Sequence, residues 1–459
     1  MPVDLENEQP IAWDSPDLDA DTRAMLDNLQ PNILQAHVRD HMSILFVRFD
    51  DAADGRRFLR SLVPLMKSAR QHLAEVRRHR RSNASGTVYV GVGISKDGYR
   101  RLGFDPKRFG DVEFNVGMKR SRDLLGDPPV DEWEEHYQGE LHAVVLIGDA
   151  TPEPVEATRA KVLGLLGSTV RVVGEETGLG MRNPAGKGIE HFGYVDGRSQ
   201  PLFLADQVAE ERSVNWEPFF PLKHVLAADA LAPDPDRHFG SYLVFRKLEQ
   251  NVRAFRQAEE DLADALGLTG ADRARAGAML VGRFRDGTPL RLHGKPGADG
   301  WPTQNDFNYA KDPGTMCPAF AHVRKMSPRE ARDSGSEHFH DVMMPRRGQT
   351  YGTRTDDPWD DAPPETRPTG GVGLLFMAFN GTLGQFLTIQ NWANTSDFPQ
   401  DDTGHDPIIG QGKRTTKVRY PETWGGPKLS PPQPQAPQTV TMKGGEFFFM
   451  PSLAYLKSL

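Results

Sequence analysis

Three short segments of this 459-residue chain carry side chains whose types and spacing could do chemistry. In the first, residues 190–201 read EHFGYVDGRSQP, and Asp196 stands between an apolar stretch and a glycine. A carboxylate held there could take a proton from one atom of a substrate and return it to another. An Asp-Gly pair also forms tight turns, so the sequence leaves both roles open for Asp196.

The second segment, residues 315–329, reads TMCPAFAHVRKMSPR and contains His322. This histidine follows an apolar run and precedes the cations Arg324 and Arg329. It is either a hydrogen-bonded core residue or a metal ligand, and the cations would suit an anionic cofactor. Cys317, the single cysteine of the chain, is either a small buried hydrophobe or a competing thiolate ligand.

The third segment, residues 343–351, reads MMPRRGQTY and places Arg346 beside Arg347. A guanidinium group stays charged at any working pH and could stabilise developing negative charge, or both groups could face solvent. Just upstream, His338 and His340 have the spacing of two residues on one face of a strand. They make half of a metal site or belong to a solvated loop, because a catalytic zinc needs three protein ligands.

The composition excludes several classes of protein. With 55 Lys and Arg against 63 Asp and Glu, the net charge is −8, which argues against sequence-independent nucleic-acid binding. A single cysteine excludes an intramolecular disulfide framework and any cysteine-rich metal site. No apolar run approaches the ~18 residues of a membrane span. The acidic start of the chain has no apolar secretory region, so we expect a cytoplasmic protein.

The hydrophobic pattern predicts two α+β halves, and each half has a strand, then a long helix, then further strands. These halves must position the three segments. The predicted strands are 42–49, 87–93, 142–148, 168–174, 240–248, 373–379, 386–390 and 446–450. The predicted long helices are 52–78, 153–166 and 249–266. We therefore predict an irregular acidic arm over residues 1–30, one domain over 31–215 and a second over 216–459.

Taken together, the segments resemble the dye-decolorising peroxidase family. Nine stretches follow that family's order along most of the chain: NILQAHVRDH (32–41), VEFNVGMKRSRDLLGD (112–127), the G-x-x-D-G of 193–197, GSYLVFRKLEQ (240–250), VGRFRDGTPL (281–290), AHVRKMSPR (321–329), RRGQTYG (346–352), GLLFMAFN (373–380) and VTMKGGEFFFMPS (440–452). Each stretch is weak evidence alone, but the ordered series is specific.

The resemblance implies a fold and a cofactor. The fold would be α+β, with two ferredoxin-like domains built on antiparallel sheets. One haem b per chain would lie between the sheet and the helices of the C-terminal half. The iron's axial ligand would be His322. Arg329 and Arg324 would meet the haem propionates, and Leu374 and Phe376 would line the haem.

The resemblance also implies a reaction. The protein would be a haem peroxidase that reduces hydrogen peroxide through a ferryl intermediate. It would then oxidise dyes, phenolic or other aromatic reductants, or Mn²⁺. Asp196 would shuttle the proton on the distal face, and Arg346 would stabilise O–O heterolysis. Arg347 is adjacent and could be the distal arginine instead.

Some aromatic and acidic residues near these motifs have two possible roles. The aromatic residues that could relay electrons, or only pack, are Tyr351, Trp301, Trp359 and Trp392. The acidic pairs 356–357 and 360–361 could bind Mn²⁺ or remain solvated.

The sequence departs from the family pattern after the late strand. The family often carries an acid there, but this chain has Asn380-Gly381-Thr382. The second ring nitrogen of His322 needs an acceptor to fix its tautomer. That acceptor is therefore either a carboxylate from elsewhere or a backbone carbonyl.

Two other functions stay open at this point. One is a haem-binding or haem-handling protein of the same fold without peroxidase turnover. The other is a non-haem divalent-metal protein that uses His338 and His340. The presence of Asp196 together with an arginine favours the peroxidase over haem handling. The physiological reductant and the oligomeric state stay open.

Overall fold

The computed structural model describes residues 3–82, 84–211, 220–298, 304–329 and 341–459. His338, His340 and Trp301 lie outside these residues, as does the predicted domain boundary at 215/216. The strands are β1 (His41–Phe49), β2 (Tyr89–Ser95), β3 (Ala143–Asp149), β4 (Val170–Leu179), β5 (Met181–Arg182), β6 (Gly188–Ile189), β7 (Ala227–Ala228), β8 (Phe239–Gln250), β9 (Gln349–Tyr351), β10 (Gly373–Asn380) and β11 (Val440–Met450).

Helices cover the sheet and connect its strands. They are α1 (Ala20–Asn28), α2 (Ala52–Leu62), α3 (Ala69–Ser82), α4 (Lys96–Arg101), α5 (Val112–Val116), α6 (Met118–Leu125), α7 (Glu135–Gln138), α8 (Pro152–Gly164), α9 (Ala205–Glu211), α10 (Val252–Ala265), α11 (Ala274–Val281), α12 (His322–Met326), α13 (Leu383–Asn394) and α14 (Leu453–Ser458). Within the described ranges, no helix is both long and apolar enough to cross a lipid bilayer.

The two halves repeat one strand order. The first half is ordered β4-β1-β3-β2 and the second β11-β8-β10-β9, with antiparallel pairing throughout. Numbered within each half, both orders are 4-1-3-2, which is the order of a ferredoxin-like β-α-β-β-α-β unit. The predicted α+β class with two antiparallel ferredoxin-like halves is therefore confirmed. The two sheets join where β11 pairs with β2.

The two ends of this joined sheet meet through side chains. The Thr350 hydroxyl of β9 donates to the Leu179 carbonyl of β4. The Gln349 amide donates to the Arg39 carbonyl at 2.7 Å. As a result, the segment that carries the two adjacent arginines is fixed beside the first half of the chain.

The N-terminal arm is partly helical, which corrects the prediction of an irregular segment over residues 1–30. The Asp19 carboxylate caps α1 by accepting from the amides of Asp21 and Thr22, at 3.0 and 2.9 Å. Met25 and Leu26 of this helix are fully buried. Its two and a half turns carry too few apolar residues to show a helical period among the acidic ones.

Two other predicted elements were wrong. The helix predicted over 52–78 is two helices, because Pro64 follows α2 and proline cannot donate an amide hydrogen. The strand predicted over 386–390 lies inside α13. Its β-branched and aromatic residues suggest a strand locally, but Thr382 and Gln385 form a capping box that starts a helix.

A buried ion pair fixes α13 against the sheet. Arg246 of β8 donates through Nη1 to Asp127 Oδ2 at 2.9 Å and through Nη2 to Oδ1. The Arg246 guanidinium also lies 5.4 Å from the ring centre of Phe386 on α13. Phe386 in turn lies 6.1 Å from Phe376 of β10, measured between ring centres. The Arg246–Asp127 ion pair therefore supports β10, the strand predicted to line the haem, through Phe386.

We expect Asp127→Asn to lower the free energy of unfolding by about 3–5 kcal/mol, because it leaves the Arg246 charge buried without its partner. Chemical denaturation measures this change. The control is Asp123→Asn, since the Asp123 side chain is 79% exposed in its pair with Arg122 and should matter by about 0–1 kcal/mol. Equal losses in the two variants would contradict the prediction.

Candidate active site

The loop before α12 holds His322 in place. The Asp312 carboxylate accepts from the amides of Gly314, Met316 and Cys317 at 2.9–3.0 Å. Arg324 closes this loop, donating to the Cys317 carbonyl at 2.6 Å and to the Asp312 carbonyl at 2.7 Å. The Arg324 guanidinium therefore holds this loop by hydrogen bonds. Its contact with a haem propionate stays a prediction.

The acceptor for His322 is the carboxylate of Asp406. His322 Nδ1 lies 2.9 Å from Asp406 Oδ2, and the Asp406 side chain is fully buried. The other oxygen of Asp406 accepts from the amides of Ile408 and Ile409, at 2.8 and 2.7 Å. Of the two acceptors that the sequence left open, the structure therefore has the carboxylate. Asp406 was missed because it follows a long loop and no local pattern marks it.

The charges of this pair stabilise each other. Burial alone would lower the pKa of His322, but the charge and hydrogen bond of Asp406 raise it above its usual value. Burial alone would raise the pKa of Asp406, but His322 and the two backbone amides lower it. With Nδ1 directed at the carboxylate, Nε2 is the ring atom left for a metal.

Arg346 is held by the segment that follows Asp196. Its Nη2 donates to the Arg198 carbonyl at 2.7 Å, and its backbone amide donates to Gln200 Oε1 at 2.9 Å. Burial lowers the pKa of Arg346, and the negative charge of Asp196 opposes this shift. Both groups also affect the pKa of His322, so the three residues lie within electrostatic reach of one another.

Arg347 points to the other side of the chain. Its Nε donates to the Asn32 carbonyl at 2.9 Å and its Nη2 to the Ile33 carbonyl at 3.1 Å. The residue is 4% exposed. Arg347 therefore links this segment to the first half, whereas Arg346 contacts the segment that follows Asp196.

The loop that carries Asp196 is built around Glu190. The Glu190 carboxylate accepts from the amides of Phe192 and Tyr194 and from Gln250 Nε2, at 2.8, 3.0 and 2.6 Å. Burial raises the pKa of Glu190 to about 7, and these hydrogen bonds oppose the rise. Gly197 has φ +77°, which favours glycine, so the predicted turn exists and also presents Asp196.

Asp196 is exposed and lines a small pocket. The pocket measures about 160 Å³, and its lining includes Asp196, Gly197, Gln349, Leu374 and the ion pair of Asp40 with Arg182. This volume admits a few waters or a molecule the size of hydrogen peroxide. Asp196 is therefore accessible from the surface and lies at the wall of this pocket.

The remaining predicted contacts lie close to these residues. Leu374 and Phe376 are half-buried on one face of β10, while Leu375 and Met377 of the other face are fully buried. Arg329 is 2% exposed and donates to the side chain and carbonyl of Asn305, at 2.7 and 2.8 Å. Its Nη2 also donates to Ser199, two residues after Gly197. Arg329 is thus joined to the Asp196 loop, while Arg324 is not.

The acidic loop for which the sequence left Mn²⁺ binding or solvation open has carboxylates that pair with arginines. Asp356 accepts from Arg354 and from Arg367, the latter at 2.9 Å. Asp360 accepts from Arg367. These pairs hold the pKa of Asp356 well below its usual range. Asp356 and Asp360 therefore have cationic partners already.

The aromatic residues considered as electron relays differ in their surroundings. Tyr351 is 8% exposed, and its ring lies beneath the Lys247 ammonium at 4.8 Å. Trp392 stacks on Phe398 with ring centres 4.1 Å apart, and Trp359 lies under the Arg285 guanidinium at 5.0 Å. All three have packing roles, and a relay role for any of them stays a prediction.

Two further groups of metal-type ligands occur in the described ranges, and sequence reasoning singled out neither. One group contains His37, His72 and Glu75, and the other contains Glu134, His136 and Glu176. A lysine ammonium forms ion pairs within each group. Lys67 pairs with Glu75, and Lys247 pairs with the carboxylates of Glu134 and Glu176 at 2.8 and 2.9 Å. Each group therefore has its cation supplied by the chain itself.

Comparison with known proteins identifies the family. Residues 28–180 match the family model of the DyP dimeric alpha+beta barrel domain. The chain is 53% identical to the multifunctional dye peroxidase DyP2 of Amycolatopsis sp. over 100% of both chains. It is 27% identical to Peroxidase 2 of Mycetinis scorodonius, over 99% of this chain and 91% of that protein.

Solved structures agree with this comparison. The structure of DyP2 from Amycolatopsis sp. superposes with a TM-score of 0.94 at 52% identity, covering 100% of both chains. The DyP-type peroxidase of Anabaena sp. superposes with a TM-score of 0.90 at 36% identity, covering 99% of this chain and 98% of that one. Identity of 52–53% over the whole length of both chains shows that the chain belongs to the DyP-type, dye-decolorising peroxidase family.

Proposed function

We propose that the protein is a haem b peroxidase that reduces hydrogen peroxide and oxidises dyes and phenolic or other aromatic compounds. One observation carries this proposal. Hydrogen bonds join the distant segments that carry Asp196, His322 and Arg346: Arg346 donates to the Arg198 carbonyl and Arg329 donates to Ser199, while the buried Asp406 carboxylate orients His322. A proton-transfer group, a metal ligand and a cation are what peroxide cleavage at a haem requires.

The residues present fit a haem. His322 offers Nε2 because Nδ1 is directed at Asp406. The half-buried face of Leu374 and Phe376 offers an apolar surface for the ring. The guanidinium of Arg329 offers a cation for a propionate. When bound, the haem would supply the two electrons that reduce peroxide, one from its iron and one from its ring.

The distal residues would divide the work between them. Asp196 takes the proton from one peroxide oxygen and returns it to the other, which leaves as water. Arg346 stabilises the negative charge that develops as the O–O bond breaks. Its hydrogen bond to the Arg198 carbonyl holds the guanidinium in one orientation beforehand.

On the proximal side, Asp406 would control the basicity of His322. We expect Asp406→Asn to weaken haem binding or peroxide turnover by about 10–100-fold, because the partner of a metal-bound histidine fixes its tautomer and raises its basicity. Resonance Raman of the ferrous protein should show a lower iron–histidine stretching frequency in this variant. Asp401→Asn, an exposed position on the same loop, serves as control and should keep the wild-type frequency.

The reductant is proposed from chemistry and from relatives. A dye-decolorizing peroxidase of known structure, 26% identical to this chain with a TM-score of 0.79, is a complex with 2,6-dimethoxyphenol. We infer that phenols of this kind are substrates here. Oxidation of Mn²⁺ through the 356–361 loop has no support, since Asp356 and Asp360 are paired with arginines. The cytoplasmic location stays a prediction from the sequence.

The visible spectrum of haem-supplied protein tests the proposal. We expect a histidine-ligated ferric Soret band that changes within milliseconds of adding one equivalent of hydrogen peroxide. The band should return when 2,6-dimethoxyphenol is added. A Soret band that peroxide only bleaches would support haem handling instead. Absence of any haem band would contradict the assignment of His322.

A further inference from the structure

The ammonium group of Lys325 lies in a cage of backbone carbonyls. It donates to the carbonyls of Thr395 and Phe398, each at 2.8 Å, and to that of Gly404. Lys325 has 0% of its surface exposed. Within the described part of the chain, no carboxylate oxygen approaches this ammonium to ion-pair distance. Lysine is almost never fully buried unless it is paired, so this arrangement needs an explanation.

All three carbonyls belong to the loop that carries Asp406. The loop leaves α13 after Asn394 and returns at Asp406, whose amide donates to the Ala393 carbonyl at 2.9 Å. The two ends of the loop are also joined by the Gly404 amide, which donates to the Ser396 carbonyl at 3.1 Å. Lys325 therefore ties this loop at Thr395, Phe398 and Gly404, and Gly404 lies two residues before Asp406.

The lysine and the proposed iron ligand share one short helix. Lys325 follows His322 by three residues in α12, so the two side chains lie on neighbouring positions of one helix face. The helix thus presents its imidazole to Asp406 and its ammonium to the loop that holds Asp406. Burial lowers the pKa of Lys325 to about 8, and the negative charges of Asp406 and Asp397 oppose this.

We propose that Lys325 is a positioning residue that sets the hydrogen bond between Asp406 and His322 and thereby the basicity of the iron ligand. This inference rests on the proposed function, because it assumes that His322 binds the haem iron. Lys325 acts through Asp406 and does not itself touch the reacting atoms. Three donors spread over one loop hold the carboxylate more firmly than a single contact would, and a lysine ammonium has three donors.

The test compares Lys325→Met with Asp406→Asn in the haem-loaded protein. We expect Lys325→Met to lower the iron–histidine stretching frequency of the ferrous protein toward the value of Asp406→Asn. In the double variant, Lys325→Met should add no further shift, because its effect passes through Asp406. Lys96→Met is the matched control. Lys96 is also buried and donates to a backbone carbonyl, that of Val116, so this variant should lose stability without any frequency shift.

Several outcomes would overturn the inference. One is a folded Lys325→Met protein with the wild-type frequency. Another is a Lys325→Met substitution that shifts the frequency equally in the wild-type and Asp406→Asn backgrounds. If Lys325→Met does not fold, the same frequency is measured in Lys325→Gln. Glutamine keeps two hydrogen-bond donors but has no charge. A failure of the proposed function looks different. In that case the wild-type protein has no histidine-ligated haem. An unchanged frequency in Asp406→Asn would instead overturn the inference about Lys325, because that inference acts through Asp406.

Discussion

Asp196→Asn should slow the reaction with hydrogen peroxide by about 10²–10⁴-fold, the usual contribution of a positioned proton-transfer group. The amide has the shape of the carboxylate but cannot accept the peroxide proton. Haem should remain bound, since His322 and its hydrogen bond to Asp406 are unchanged in this variant. Stopped-flow absorbance of the Soret band after mixing with peroxide measures the rate directly.

The pH profile adds a second readout to this prediction. As pH rises, more peroxide is already deprotonated, so the rate of the Asp196→Asn protein should recover part of its loss. Asp40→Asn is the matched control, because Asp40 lines the same pocket and forms an ion pair with Arg182 at 2.6 Å. It should react at nearly the wild-type rate. Equal rates for Asp196→Asn and wild type would remove Asp196 from the mechanism.

Arg346→Leu should slow the same step by about 10²–10³-fold, the effect of losing one preorganised donor to developing negative charge. Leucine keeps much of the side-chain volume but has neither charge nor donors. The guanidinium is also the group that donates to the Arg198 carbonyl, so its loss removes an anchor of the Asp196 loop. Stopped-flow measurement at saturating peroxide separates the bond-breaking step from peroxide binding.

Two variants separate charge from anchoring. Arg346→Lys keeps a cation and should regain part of the rate. Arg182→Leu removes an arginine that lines the pocket but pairs with Asp40, and it should have little effect. If Arg182→Leu were as slow as Arg346→Leu, the loss of rate would come from the loss of positive charge anywhere in the pocket. The specific role of Arg346 would then be wrong.

The adjacent arginines show what local sequence cannot decide. Their segment is extended, so neighbouring side chains point to opposite sides. One of them must face Asp196 and the other the first half of the chain, but the motif is the same in either case. The pairing of Arg346 with Ala378 of β10 decides it, and Arg347 then reaches the carbonyls of Asn32 and Ile33. That pairing depends on the register of strands from distant segments.

The second half also contains an element whose type depends on its neighbours. Residues 386–390 have the composition of a strand, yet they lie in α13. The capping box of Thr382 and Gln385 starts the helix, and the buried pair of Arg246 with Asp127 lies against its Phe386. Packing against the sheet outweighs local preference, because helix and strand propensities differ by only about 1 kcal/mol per residue.

The sequence by itself determined the α+β class, the repeated halves, the family and the candidates Asp196, His322 and Arg346, because these rest on periodicity and on ordered motifs. Only the tertiary structure decided that Asp406 is the partner of His322, that Arg347 and Arg324 have structural partners, and that Lys325 holds the Asp406 loop. These are contacts between segments far apart in the chain. Their formation depends on strand register and loop path, which no local run of residues encodes.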